Sequence, residues 1–169
     1  MSTQAIQASQ QATEYRNAFR SAQVFGKGRY FEPGRYLLEV DKLFYKRTLI
    51  DGAAKESIIC EFKILESSNP AFEVGSTVSS VFSFANKGWL SRFKMMVLAL
   101  VGADPDRAPA AAQEAAGDIY AALRDDSERE RIGLPENFMR GRKVRTEAMA
   151  GKTSNGQDIT NMKWEPVAQ

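Results

Sequence analysis

From Lys42 to Arg47 the chain reads Lys-Leu-Phe-Tyr-Lys-Arg, placing cations and aromatic rings side by side. Those two kinds of side chain serve single-stranded nucleic acid: ammonium and guanidinium groups neutralise phosphates, and rings stack on unpaired bases. Lys42, Lys46 and Arg47 are the phosphate candidates here. Tyr45 is the stacking candidate, with core packing as its alternative, while Phe44 reads first as core. Lys55 and an outward-facing Lys63 extend the same groove. Lys87 and Trp89 stand where a strand gives way to a helix, so the indole either stacks or plugs the core. Arg142, Lys143 and Arg145 open a later strand, and Lys152 lies in the last hairpin loop. Each cluster alone is weak, and the case for a site rests on their being brought together.

Other chemistry is scarce. The chain has no histidine and one cysteine, Cys60. That excludes the usual Cys/His zinc sites, Ser-His-Asp triads and histidine-based acid–base catalysis. Cys60 shares parity with Ile58, Phe62 and Ile64 in an apolar run and reads as a buried structural thiol. Gly26-Lys27-Gly28 lacks the GxxxxGK[ST] frame. Gly151-Lys152-Thr153 has Thr146 where a phosphate loop needs its first glycine, and a strand rather than a helix follows. Asp125, Asp126 and Glu128 have no ordered ligand spacing and read as solvated helix-end charges. No catalytic residue, metal ligand or cofactor is assigned, and an enzyme is not expected.

The elements that position the candidates follow from periodicity. Pro33-Gly34 is a turn, after which Tyr36, Leu38 and Val40 alternate with Leu37, Glu39 and Asp41 as in a half-buried strand. The alternation blurs through Leu43-Phe44-Tyr45, which predicts a bulge near Lys42. Asp51-Gly52 turns the chain into a second strand through Ile58–Ile64, and Thr77–Phe84 forms a third. The period then changes: Leu90, Phe93, Val97, Leu100 and Val101 make a helical stripe, with Gly102 as its C-terminal stop. An alanine-rich helix over Ala108–Leu123 follows, inside an insertion of residues 104–133. Arg142–Met149 and Thr160–Glu165 close the chain as a hairpin turning at Asn155-Gly156. Three strands, a helix and a hairpin give the outline of a five-stranded OB-type barrel, mainly β with α. The domain runs over 33–169, preceded by an arm over 1–32 with a helix near Thr13–Ala22.

At 169 residues, with 43% hydrophobic and 26% charged content, the chain suits one soluble domain with an extension. No apolar run reaches the roughly 20 residues needed to span a bilayer, and the first residues have no signal-peptide pattern. A cytoplasmic location with no membrane partner is expected. Net charge is only +2, but its distribution is uneven. Cations dominate Arg16–Arg47 and Arg140–Lys152. The stretch Asp104–Glu130 holds eight acids against Arg107, Arg124 and Arg129. One positive face and one negative projection are expected.

Several runs resemble a family of phage-encoded single-stranded-DNA-binding OB-fold proteins, formerly a domain of unknown function. They are Pro33-Gly34-Arg35-Tyr36-Leu37-Leu38-Glu39-Val40, Ile58–Glu66, Trp89–Gly102, Gly141-Arg142-Lys143-Val144 and Asn161-Met162-Lys163-Trp164-Glu165-Pro166. The resemblance implies sequence-tolerant coating of single-stranded DNA in replication or recombination of a phage genome, within the host cell cytoplasm. Two further expectations are self-association through the N-terminal arm and recruitment of replication or recombination proteins by the acidic insertion. The alternative is a structural or assembly protein of a virus particle built on the same small barrel. A carboxylate-based nuclease is a poorer third, because the acids gather in the insertion.

Overall fold

The computed structural model describes residues 10–13, 15–16 and 30–169. It divides into two compact units, Met1–Tyr30 and Phe31–Gln169. In the first, Gln10–Thr13, Tyr15 and Arg16 are helical, and Gln11 Nε2 donates to Tyr15 Oη at 3.0 Å. Most of the helix expected over 13–22, and with it the role expected of the arm, lies outside the described residues.

The second unit is built on a five-stranded antiparallel sheet: β1 (Gly34–Ile50), β2 (Ala53–Ser67), β3 (Thr77–Ser83), β4 (Lys143–Lys152) and β5 (Asp158–Pro166), in the order β3-β2-β1-β4-β5. β1 and β2 are joined by the two residues Asp51 and Gly52, both at positive φ (51° and 78°), a hairpin turn whose twist matches that of the strands. The expected bulge is present. Val40 faces Phe62 and Lys42 faces Glu61, so Asp41 is the extra residue. A second irregularity leaves Leu65 extra on β2, between the pairs Leu37–Glu66 and Leu38–Ile64.

β1 pairs with β4 only over Gly34–Glu39. At Val40 the partner becomes a loop: its N–H donates to Arg142 O at 2.8 Å, and its carbonyl accepts from Gly141 N at 2.9 Å. Beyond that point β1 and β2 continue as a ribbon to the Asp51-Gly52 tip. β4 and β5 likewise continue past Gly34 as a second ribbon at the other end of β1.

The sheet is open, not closed: β3 and β5 are its edges, and no ladder joins them. Helix α1 (Trp89–Leu100) packs against β3, β4 and β5 and buries Phe93, Met96, Val97, Leu98, Ala99 and Leu100. The apolar rims that barrel closure would bury are covered by a helix instead. α1 ends in a Schellman motif, with Gly102 at φ 91°, Gly102 N bonded to Ala99 O (3.0 Å) and Ala103 N to Leu98 O (2.9 Å).

The 104–133 segment differs from the expected projection. Its helix α2 (Ala110–Arg124) buries Ala116, Ile119 and Ala122 and brings Tyr120 and Leu123 onto the core beside α1 and β1. Small alanines let the helix come close, so an acidic segment is built into the inner layer. The short α3 (Asp126–Arg131) follows. The core centres on Tyr36, Leu38, Ile58, Phe62, Ile64, Phe93, Met96 and Val144, with Trp164 beside Phe62. Cys60 is fully buried among them, and burial pushes its thiol well above the ordinary range. Among the described residues no helix is long and apolar enough to cross a membrane.

Candidate nucleic-acid interface

Residues directly opposite one another on antiparallel strands project from the same face. The register therefore sorts every strand side chain. Leu38, Val40, Ile58, Cys60, Phe62, Val78, Phe82 and Val144 face the helices. The opposite face looks to solvent, and its upper part, on β1, β2 and β3, consists of three rungs. Lys42–Glu61–Ser79 is followed by Phe44–Ile59–Val81 and then by Lys46–Ser57–Ser83. The middle rung is apolar throughout. Ile59 is only 8% exposed because its neighbours cover it, while Phe44 and Val81 are half-buried.

Phe44 is therefore not in the core, contrary to the expectation from sequence. The extra residue Asp41 reverses the alternation, so Leu43 and Tyr45 continue the inner set of Tyr36, Leu38 and Val40. Phe44 is flanked by Lys42 and Lys46 on its own strand, with Lys55 exposed one rung further, opposite Thr48. Counting parity onward from an assumed extra residue at position 41 would have found it.

Tyr45 faces the helical side. Its hydroxyl donates to the Glu56 carboxylate, and its ring lies 5.9 Å from that of Phe84. The hydrogen bond to Glu56 is the main cause that holds the Tyr45 phenol above its ordinary pKa, with desolvation and the charge of Glu56 adding to it. Arg124, at the end of α2, lays its guanidinium 4.6 Å from the Tyr45 ring centre and 4.9 Å from that of Phe84, and reaches Glu56 Oε1 at 3.5 Å. Trp89 stacks on Phe84 at 3.8 Å with 12° between planes and tilts toward Tyr120 at 6.2 Å. Trp89 thus plugs the junction it was expected to mark. Lys87 is exposed there, its carbonyl accepting from Arg92 Nη1 at 3.2 Å.

The lower part of the outer face has a different electrostatic character. Lys63 and Lys143 flank Glu39 on either side. Arg145 reaches Glu66 at 3.2 Å and stands opposite Glu165. Arg35 reaches Glu147 at 3.7 Å, and Lys163 lies 3.4 Å from Glu165. Lys143 also exchanges two backbone bonds with the side-chain amide of Gln169 (2.8 and 2.9 Å).

The two hairpin tips do not converge. The β1–β2 tip, with Arg47 and Lys55 near it, lies beyond the C-terminal end of β1. The β4–β5 tip lies beyond Gly34, and its Lys152 is paired with Asp158 at 3.1 Å. Arg142 is exposed in the loop before β4. The structure thus gathers Lys42, Lys46 and Lys55 with Phe44 on one face, adds Lys63, Lys143 and Arg145 beside carboxylates lower on that face, and separates Tyr45, Arg47, Lys87, Trp89, Arg142 and Lys152 from that group.

Asp125, Asp126 and Glu128 of the insertion serve their own short helix. Asp125 caps α3 by accepting from Ser127 N at 2.8 Å, and Asp126–Arg129 and Glu128–Arg131 pair at 2.8 Å. Among the described residues no group of three or more Cys, Asp or Glu is placed to hold a metal ion. No protein-family model matches the chain, and no curated protein matches it.

Proposed function

We propose that this chain binds single-stranded DNA, without base-sequence selectivity, on the solvent face of β1, β2 and β3. The observation that carries the reading is Phe44. An aromatic ring set in an apolar rung on the solvent side of a sheet, with lysines two residues away on either side, has the composition of a stacking platform with phosphate partners. Lys42, Lys46 and Lys55 neutralise phosphates in this reading, while Lys63, lower on the same face, stands opposite Glu39. Hydroxyls of Ser57, Ser79 and Ser83 line the same rungs and add hydrogen-bond donors without a base preference.

The finer fold belongs to the same proposal. The order β3-β2-β1-β4-β5 is that of a five-stranded Greek-key barrel opened between its third and fifth strands, with a helix after the third. We read the sheet as an OB-type barrel whose closure is replaced by α1. The face used for ligands in that fold, on its second and third strands, coincides with the rungs around Phe44. Together with the motif resemblance, this favours a non-enzymatic coating protein of phage replication or recombination.

The test is a fluorescence-anisotropy titration of the full chain with labelled oligo-dT, repeated with duplex and at several salt concentrations. Strong preference for the single strand, with affinity falling as salt rises, supports the proposal. Equal and unselective attraction to both refutes it and favours an assembly protein.

A further inference from the structure

We propose that Tyr45, Phe84 and Glu56 form a second base-binding site, which Arg124 fills when nucleic acid is absent. The site rests on the single-strand reading above and lies on the other side of the β1–β2 ribbon from Phe44. Its parts come from four elements. Tyr45 and Glu56 stand on β1 and β2, facing the helices; Phe84 follows the last residue of β3; Arg124 ends α2. The guanidinium does three things there. It covers the Tyr45 ring at 4.6 Å, covers the Phe84 ring at 4.9 Å, and pairs with the Glu56 carboxylate at 3.5 Å.

A nucleobase with an exocyclic amine can take over each of those roles. It is planar, it stacks on aromatic faces, and its amine donates to a carboxylate. Adenine, cytosine and guanine carry such an amine; thymine does not. Glu56 thus gives the site a chemical preference that a bare ring lacks. The Glu56 carboxylate also accepts from the Tyr45 hydroxyl, which fixes it at the rim of the two rings.

Arg124 is placed to leave. It is the last residue of α2, and Asp125 breaks the helix with an extended backbone (φ −144°, ψ 113°). Its side chain is about one third exposed (35%), and Nη1 already has an alternative partner in Tyr120 Oη at 3.1 Å. The site is also close to the proposed path. Ser83 ends the outer rung that contains Lys46 and Ser57, and Phe84 is the next residue, so a strand leaving that rung reaches the rings around the end of β3.

The sign of the effect separates this proposal from a plain structural contact. Removing a cation from a nucleic-acid-binding protein weakens phosphate attraction. Removing a cation that blocks a base site strengthens binding. The experiment measures affinities of the wild-type chain, Arg124→Ala and Arg124→Met for labelled oligo-dC and oligo-dT at one salt concentration, with circular dichroism to check the fold. The methionine retains length and apolar contact without the charge. The expected result is an approximately tenfold gain on oligo-dC, about the worth of one added stacked base, with no gain on oligo-dT. An unchanged or weaker affinity for oligo-dC, an equal gain on both oligomers, or loss of fold in both variants overturns the proposal. A wild-type chain that binds neither oligomer refutes the single-strand reading, and the second site with it. A wild-type chain that binds both, with variants that gain nothing on oligo-dC, refutes the second site alone.

Discussion

Phe44→Ala separates binding from folding more sharply than any other change on the outer face. The ring points away from the core, so its loss opens no internal cavity. What it forfeits is side contact along the Phe44–Ile59–Val81 rung. Cross-strand pairs of this kind contribute about 0.2–1 kcal/mol each. Truncating a buried ring such as Phe62, which is 0% exposed, costs about 3–5 kcal/mol. The binding side is larger: a stacked base is worth about 1–3 kcal/mol by alanine substitution, roughly a 5- to 150-fold loss of affinity. The assay is anisotropy with oligo-dT at fixed salt, alongside thermal melting of the same preparations. The expected outcome is a large loss of affinity with a small change in melting temperature, and recovery with Phe44→Trp. An alanine variant that binds like the wild type removes Phe44 from the interface. A variant that melts as Phe62→Ala does shows instead that the register assigned to β1 beyond Asp41 is wrong.

Three other outcomes follow from the same geometry. The double change Lys42→Ala with Lys46→Ala should make the slope of log affinity against log salt shallower by about 1.4, at about 0.7 per phosphate contact on a single strand; Lys152→Ala, at the far end of β1 and paired with Asp158, should leave the slope unchanged. Cys60, fully buried and with its thiol pKa raised by burial, should resist alkylation in the native protein and react once denaturant unfolds it. Tyr45 should ionise above the ordinary value of 10.0 in an ultraviolet absorbance titration, and Glu56→Gln should lower its pKa toward that value. Because the pKa is raised in the folded state, the stability linked to it is fully present below pH 10 and is lost as pH rises through the higher folded value. A Tyr45 that titrates normally would show that the Glu56 bond does not persist in solution.

The strands, their order of appearance, α1 and the hairpin turns were legible because each carries a local signal. Alternation marks β1 to β3, Asp51-Gly52 and Asn155-Gly156 mark turns, and the stripe from Leu90 to Val101 marks a helix. The bulge was legible too, but not its consequence, since a single extra residue decides which of Phe44 and Tyr45 faces solvent. Closure was illegible for a different reason. Whether β3 meets β5 depends on where α1 settles against both, and no local pattern encodes that position. The depth of the insertion was obscured by its acids. Composition suggested a solvated projection, whereas Ala116, Ile119 and Ala122 on one stripe bury the helix.

The placement of carboxylates decides where on the outer face a polyanion can lie. In the lower rungs every cation has an acid as a neighbour: Lys63 and Lys143 share Glu39, Arg145 lies between Glu66 and Glu165, and Arg35 faces Glu147. Exposed pairs like these add about 0–1 kcal/mol to stability. Their larger effect is to cancel one another's field, since opposite residues on neighbouring strands are only about 5 Å apart and screening acts over about 8–10 Å. A phosphate drawn to Arg145 must displace or endure two carboxylates. In the upper rungs Lys42, Lys46 and Lys55 outnumber the acids: Glu61 stands opposite Lys42, and the bulge residue Asp41 next to Lys42 is paired with Arg140 at 3.5 Å. Positive potential therefore gathers on the ribbon that also presents Phe44, and a bound strand should cross β1, β2 and β3 there rather than run down toward β4 and β5.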